Sequence, residues 1–356
     1  MDMSPDGKYL ATFQFINPSM VKNGGSGQQE QSSGGGGQGP AVWVTEGKSL
    51  TPAGGGFVIS FQSTRFSYFT HMKAIIIGKE AARHSIRKAF DLHARFPQER
   101  LTQLILIAKG TANEVLKAST PLEKIPGLSM EPLVNSTVSM TSEVIPVRSI
   151  DLFKALISKT RAPVITQVEV VSNDNGEKLL RLSGSAVIRK DRWVAELDGR
   201  ETRGLAWVLN KVKRTVYELR EQSGEVFVAI EILNATSKIR TEIRNGQVII
   251  NIDVKAEANI IDLLVAEDWS TPEKMRQLGQ MTSNMIRREI MATWRKARHL
   301  NADIYGFGEA VRRKHPRAWK KMEPEWERIF PQIRLRVKVE TNVVSAGELI
   351  KPPLPQ

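Results

Sequence analysis

Apolar positions along this chain follow two rhythms, a period of two and a period of 3.6, and their order differs between the two halves. Lys8 to Ile16 is rich in β-branched and aromatic residues and predicts a strand. Lys73 to Gly78 and Leu101 to Ala108 are short apolar runs, expected as buried strands. Between them Ala82, Ile86, Ala89, Phe90 and His93 recur at helical spacing and predict one helix with a single inward face. Thr111 to Lys117 predicts a short helix, with Thr111 as N-cap and Glu114 three residues on. Pro121, Pro126, Pro132 and Pro146 punctuate the following stretch, expected as loop with short helices, and Ser149 is expected to cap a helix running to about Ser158. The N-terminal part thus alternates strand and helix.

The second half changes rhythm. Val164–Val171 and Lys178–Arg189 flank Asn173-Asp174-Asn175-Gly176, a hairpin signal. Glu225–Leu233, Thr236–Arg244 and Gln247–Ala256 predict three further strands, the last two joined by Asn245-Gly246 as a two-residue turn. Val248, Ile250, Ile252 and Val254 alternate with more polar neighbours, which sends one face to a core. A helix begins at Ser270 or Thr271 and runs to about Leu300. Its broad apolar side carries Met275, Leu278, Met281, Met285, Ile286, Ile290 and Ala297, and arginines occupy the other side. Ile333, Leu335, Val337 and Val339 close the pattern as a half-buried strand, and Lys351 to Gln356 is expected to fray. The fold class that follows is α+β, with mixed or antiparallel sheets and packed helices, the long helix lying across an antiparallel sheet. Three pieces are expected: residues 1–160, 161–223 and 224–356.

Two segments depart from these rhythms. Lys22 to Pro40 is glycine, serine and glutamine with almost nothing apolar, so it reads as a flexible surface loop; the Lys-Ser/Thr pair of a phosphate loop is missing. Pro52-Ala53-Gly54-Gly55-Gly56 reads as a turn and Phe57 to Phe61 as a strand, because glycine inside a helix costs about 1 kcal/mol against alanine.

Composition narrows the chemistry. The 356 residues contain no cysteine, which excludes disulfides, thiolate metal sites and thiol nucleophiles. The net charge of +13 fits an anionic partner (nucleic acid, cell-wall polymer or lipid headgroups) and equally fits plain solubility. No apolar run approaches the roughly 20 residues of a membrane span, and residues 1–20 lack the pattern of an export signal, so the chain as written reads as soluble.

Candidate catalytic groups are sparse. His71, His84, His93, His299 and His315 are scattered without metal-ligand spacing, and no Gly-x-Ser-x-Gly elbow is present. Glu196, Asp198 and Glu201 cluster as paired carboxylates do at acid–base sites, yet they sit among Arg192, Arg200 and Arg203, where turn formation and ion pairing are the better reading. Gly306-Phe307-Gly308 follows a helix instead of a strand, so it fails as a dinucleotide fingerprint and reads as backbone turns admitting Phe307 to the core. The basic run from Arg312 to Lys321, with Trp319 interleaved, has three readings: phosphate contact with base stacking, an amphipathic helix with Trp319 and Trp326 as core anchors, or contact with anionic headgroups. The helix reading is favoured over nucleic acid.

Motifs in fixed order carry a family resemblance along nearly the whole chain. Asp6-Gly7-Lys8-Tyr9-Leu10, Phe13-Gln14, Asn17-Pro18, Tyr68-Phe69, His71-Met72-Lys73, Ile75-Ile76-Ile77-Gly78 and Pro121 to Pro126 mark the N-terminal half. Gly184-Ser185-Ala186-Val187, Asp191, Leu197-Asp198-Gly199, Glu201 to Leu205 and Trp207 open the C-terminal half, which Asp303 to Glu309 and Arg313-Lys314-His315-Pro316 close. The chain resembles the Ger(x)C family, the C-subunit lipoproteins of bacterial spore germinant receptors. Members begin with a lipoprotein signal and a lipid-modified cysteine, and this sequence is expected to start after both. The resemblance implies a non-enzymatic subunit with no cofactor, lipid-tethered at the outer face of the inner spore membrane. It also implies two integral membrane partners, A and B, and no nucleic acid. The candidate interaction surface is Asp198, Glu201 and Arg203, with Gly306, Gly308, Glu309, Arg313 and His315. Two alternatives stay open: a hydrolase of spore-cortex peptidoglycan using the carboxylate cluster, and a basic polyanion-binding protein.

Overall fold

A computed structural model describes residues 1–16, 42–60, 72–95, 101–118, 125–220, 224–265 and 267–345. The expected loop at 22–40, the motif residues Asn17, Pro18, Tyr68, Phe69, His71 and 121–124, and the expected fraying of 351–356 lie outside these residues. Contacts group the chain into two units, 1–132 with 168–181 and 133–167 with 182–356, so that the stretch 161–223 is divided between them. Among the described residues, no helix is long and apolar enough to cross a membrane.

The first unit opens with an antiparallel sheet of β1 (Asp2–Met3), β2 (Tyr9–Ile16) and β3 (Val42–Ser49), with Tyr9 opposite Ser49 and Ile16 opposite Val42. The expected turn and strand at 52–61 are instead helix α1 (Pro52–Ser60). Its glycines permit what they were expected to prevent. A Cβ on Gly55 would stand 2.8 Å from the Ala11 Cβ and 3.0 Å from the Gly47 carbonyl oxygen, so the helix backbone lies directly on the β2–β3 hairpin. That close approach, with Ile59 buried, outweighs the propensity cost of about 1 kcal/mol per glycine.

Strands β4 (Ala74–Ile77) and β5 (Leu104–Ala108) pair in parallel, and Lys109 N–H donates to the Val168 carbonyl of β6 (Val164–Ser172). The single helix expected between β4 and β5 is two, α2 (Lys79–His84) and α3 (Ile86–Arg95). Ser85 between them is extended, and its hydroxyl caps the new helix by accepting from Lys88 N–H at 3.0 Å. The inward face is as expected, with Ala82, Ile86, Ala89, Phe90 and His93 buried. Helix α4 (Ala112–Lys117) carries the predicted Thr111/Glu114 capping box. It also receives a carboxylate from far away: Asp2 accepts from Ala112 N–H at 2.7 Å and Asn113 N–H at 3.0 Å.

Within the proline-punctuated stretch one helix of 15 residues, α5 (Pro126–Met140), has Pro132 inside it, whereas Pro146 lies in the expected loop and Pro121 outside the described residues. Met130, Val134 and Val138 form a buried i, i+4, i+8 stripe that holds the helix together despite the missing N–H. The division between units falls at Pro132 and Leu133. Arg148, one residue before the expected Ser149, is the N-cap of α6 (Ser149–Ile157).

In the second unit, the 182–189 part of β7 (Lys178–Arg189) pairs antiparallel with β8 (Arg192–Leu197), which leads into α7 (Gly199–Val208). A four-stranded sheet in the order β12-β11-β10-β9 follows, made by β9 (Thr215–Arg220), β10 (Val226–Arg244), β11 (Gln247–Leu263) and β12 (Arg334–Ser345). The two strands expected over 225–244 are one strand of 19 residues, irregular in register between Ile232 and Asn234. Asn245 and Gly246 both have positive φ, 50° and 78°, as the predicted two-residue turn needs. The sheet is antiparallel through β9, β10 and β11, while β12 joins β11 in parallel.

The long helix α8 (Pro272–His299) is capped by Thr271, with Pro272 at its first position. Its 28 residues span about 42 Å and lay Leu278, Ile286, Ile290 and Ala297 on the core. The expected single basic helix after it is α9 (Phe307–Lys314) and α10 (Pro316–Met322), parted at His315, and a short α11 (Trp326–Ile329) follows. Trp294 packs its ring against Phe307 at 5.9 Å and Phe330 at 5.3 Å, and Trp319 meets Trp326 edge-on at 5.1 Å.

Candidate interaction surface

The eight candidate residues form two groups, both in the second unit. The first is built on α7. Asp198 is extended and accepts from Glu201 N–H at 2.7 Å, while the Glu201 carboxylate accepts from Asp198 N–H at 3.0 Å. This reciprocal cap settles the local role of both carboxylates. Glu201 also holds Lys296 of α8 at 2.5 Å, and its backbone carbonyl accepts from the Thr293 hydroxyl at 2.7 Å.

Arg203, two residues further on, is 7% exposed. Its Nε donates to Glu289 Oε2 at 3.0 Å and a terminal nitrogen to Glu289 Oε1. The other terminal nitrogen reaches Glu143 Oε1 at 3.0 Å and Thr215 Oγ1 at 2.9 Å. The guanidinium lies 4.9 Å from the centre of the Tyr217 ring, whose hydroxyl donates to Glu289 at 2.7 Å and accepts from Trp207 Nε1 at 3.1 Å. Burial works against the arginine's charge, but the Glu289 contacts and the charges around it offset that and hold its pKa above the usual value. Burial and the Glu289 charge push the Tyr217 hydroxyl well up. One arginine therefore ties together α7, α8, β9 and the segment before α6.

The second group is the start and end of α9. Gly306 has a left-handed backbone, φ 73°, at the N-cap. The capping carboxylate comes from three residues earlier: buried Asp303 accepts from Phe307 N–H at 2.9 Å and Gly308 N–H at 2.8 Å. Burial raises the Asp303 pKa to about 6, opposed by those backbone N–H groups. Gly308 packs where a Cβ would come within 2.8 Å of the Thr160 hydroxyl and 3.0 Å of the Trp326 ring. Glu309 accepts from Ser158 Oγ at 3.0 Å and lies 4.0 Å from Arg161. His315 Nε2 is 3.0 Å from the Thr241 carbonyl oxygen of β10, whereas Arg313 is exposed.

Sequence reasoning missed Glu289, Glu143 and Tyr217, the partners that give Arg203 its place. One signal was available. Glu289 stands three and four residues from Ile286 and Thr293 on the apolar stripe of α8, a position where an acid needs a cation. Chemically, the two groups cap helices and pair buried charges; Asp198 and Arg313 are the exposed members.

Residues 1–170 match the family described as spore germination protein N-terminal domain, and residues 183–347 the family described as spore germination B3/GerAC like, C-terminal. The chain is 26% identical over 367 residues to spore germination protein KC of Bacillus subtilis (strain 168), covering 98% of this chain and 88% of that protein. It is 22% identical over 370 residues to spore germination protein B3 of the same organism, covering 99% and 90%. The crystal structure of the GerBC protein superposes with a TM-score of 0.60 at 18% identity, covering 96% of both chains, which shows a shared fold. With both halves matched in order and relatives aligned along nearly its full length, the chain belongs to the Ger(x)C family of spore germination proteins.

Proposed function

We propose that this chain is the C subunit of a nutrient germinant receptor, a non-enzymatic component working with two integral membrane subunits, A and B. It is held by a lipid tether at the outer face of the inner spore membrane, as the family resemblance implies. The observation that carries the reading is the end-to-end correspondence with proteins named for spore germination, over both matched halves. The use of Asp198 and Glu201 as a reciprocal helix cap supports a scaffold over a hydrolase, because capping leaves neither carboxylate poised for proton transfer. The surfaces offered to the partners are those around Asp198 and along Gly306 to His315, where Arg312, Arg313 and Lys314 are exposed cations.

Deleting the gene tests the reading. Spores should lose the response to one class of nutrient, keep germination by non-nutrient triggers, and recover when the gene is restored. A normal nutrient response in the deletion strain would overturn the proposal.

A further inference from the structure

Between Arg312 and Lys321 the chain carries six cations and no acid: Arg312, Arg313, Lys314, Arg317, Lys320 and Lys321. All six are exposed, and none is paired with a carboxylate among the described residues. The acids that flank them already have partners. Glu309 stands by Arg161, Glu323 by Lys159, Glu325 by Arg328, and Glu327 by Lys190 and Arg189. Elsewhere the exposed cations Lys8, Lys48, Arg181 and Arg240 sit against acids of their own neighbourhood. Arg287, Arg288, Arg295, Arg298, Arg334 and Arg336 of α8 and β12 are also exposed and unpaired, but among the described residues only α9 and α10 bring six such cations within ten positions of the chain.

The helices supply the presentation. In α9, Phe307, Gly308 and Val311 are buried and Arg313 lies opposite them. In α10, buried Trp319 anchors the inner side, and Arg317, Lys320 and Lys321, at i, i+3 and i+4, share the outer one. Trp319 is 5% exposed and packs on Trp326, so the patch has charge without an aromatic platform. A site for single-stranded nucleic acid would combine the two. A charged surface lacking stacking groups suits a plane of phosphates.

From this we infer that the α9–α10 face binds an anionic bilayer surface and orients the protein on it. The inference rests on the reading of the chain as a membrane-side receptor subunit. Each Lys or Arg brought to an anionic leaflet strengthens attachment about fivefold, and the effect fades beyond a Debye length.

The test is co-sedimentation of the purified chain with vesicles of phosphatidylcholine, with and without phosphatidylglycerol, at low and at physiological salt. Binding should require phosphatidylglycerol and weaken with salt. Replacing the six cations by glutamine should lower it about tenfold or more. A control variant with glutamine at Arg287, Arg288, Arg295, Arg298, Arg334 and Arg336, all exposed on α8 and β12, removes equal charge and should stay within about twofold of wild type. A smaller variant, Arg317→Gln with Lys320→Gln and Lys321→Gln, should lose an intermediate amount and carries the test if the sextuple variant does not fold. Equal loss in patch and control variants would overturn the inference, as would equal binding to neutral vesicles or patch-dependent binding to duplex DNA in preference to vesicles. Because this assay contains only protein and lipid, its failure is separable from failure of the receptor role, which the deletion strain reports.

Discussion

Arg203 and Glu289 meet through two hydrogen bonds with little water near them, their side chains 8% and 11% exposed. The fork of the guanidinium matches the carboxylate, and its remaining donor direction is filled by Glu143 and Thr215. Removing one partner of such a pair leaves the other charged and buried, which costs about 3–5 kcal/mol. Arg203→Ala should lower stability by that amount in urea unfolding. Arg203→Lys should restore less than half of it, because an ammonium cannot make the paired contact. A variant as stable as wild type would mean that Glu289 finds another cation or water.

Asp303 makes stability depend on pH in an unusual direction for a carboxylate. Its folded pKa, about 6, lies above the ordinary 3.8, so between those values the folded state holds a proton that the unfolded state has released. Stability from this group is complete below pH 4 and falls as pH rises to about 6, by on the order of 2–3 kcal/mol. Subtracting the pH profile of Asp303→Asn from that of wild type isolates it. The difference should decline from pH 4 to 6 and stay level above; a rise over that range would contradict the assignment.

The glycines of α1 should separate by location instead of by propensity. Gly55→Ala would put a methyl 2.8 Å from Ala11, an overpacking worth about 1–3 kcal/mol of destabilisation. The Gly56 position meets nothing closer than Phe13 at 3.8 Å, so Gly56→Ala should stabilise by up to about 1 kcal/mol. Thermal melts of the two variants should move in opposite directions.

The cap of α7 yields the fourth prediction. Asp198→Ala should cost about 1 kcal/mol of stability. Neither it nor Glu201→Gln should alter the digestion of cortex fragments relative to wild type. Cleavage that disappears in Glu201→Gln would reinstate the hydrolase reading.

Much of the fold was legible where the deciding atoms are close in sequence. Asn245-Gly246, the Thr111/Glu114 box and the ends of α8 each depend on neighbours within four residues. What escaped depends on distant atoms. Helix α1 exists because Gly47 and Ala11 accept its backbone at short range. Helix α4 takes a second cap from Asp2. The break at Ser85 is the local exception, since its hydroxyl caps through Lys88 while the apolar period runs on without interruption. The same division holds at the candidate surface. The spacing of Asp198 and Glu201 matches a helix cap, but nothing near Arg203 names Glu289 as its partner, 86 positions on.

The parallel pairing of β12 with β11 has a consequence for how the molecule is made. A hairpin strand can zip up as soon as its turn has formed, but β12 must wait until the chain from Leu264 to Ile333 has been laid down. On the ribosome, β9, β10 and β11 therefore emerge with the β11 border of their sheet unpaired, and Arg334 to Ser345 cover that border only after the intervening chain has followed. A premature stop just before Arg334 should thus be as harmful as one far upstream, since it removes the strand that pairs along most of β11.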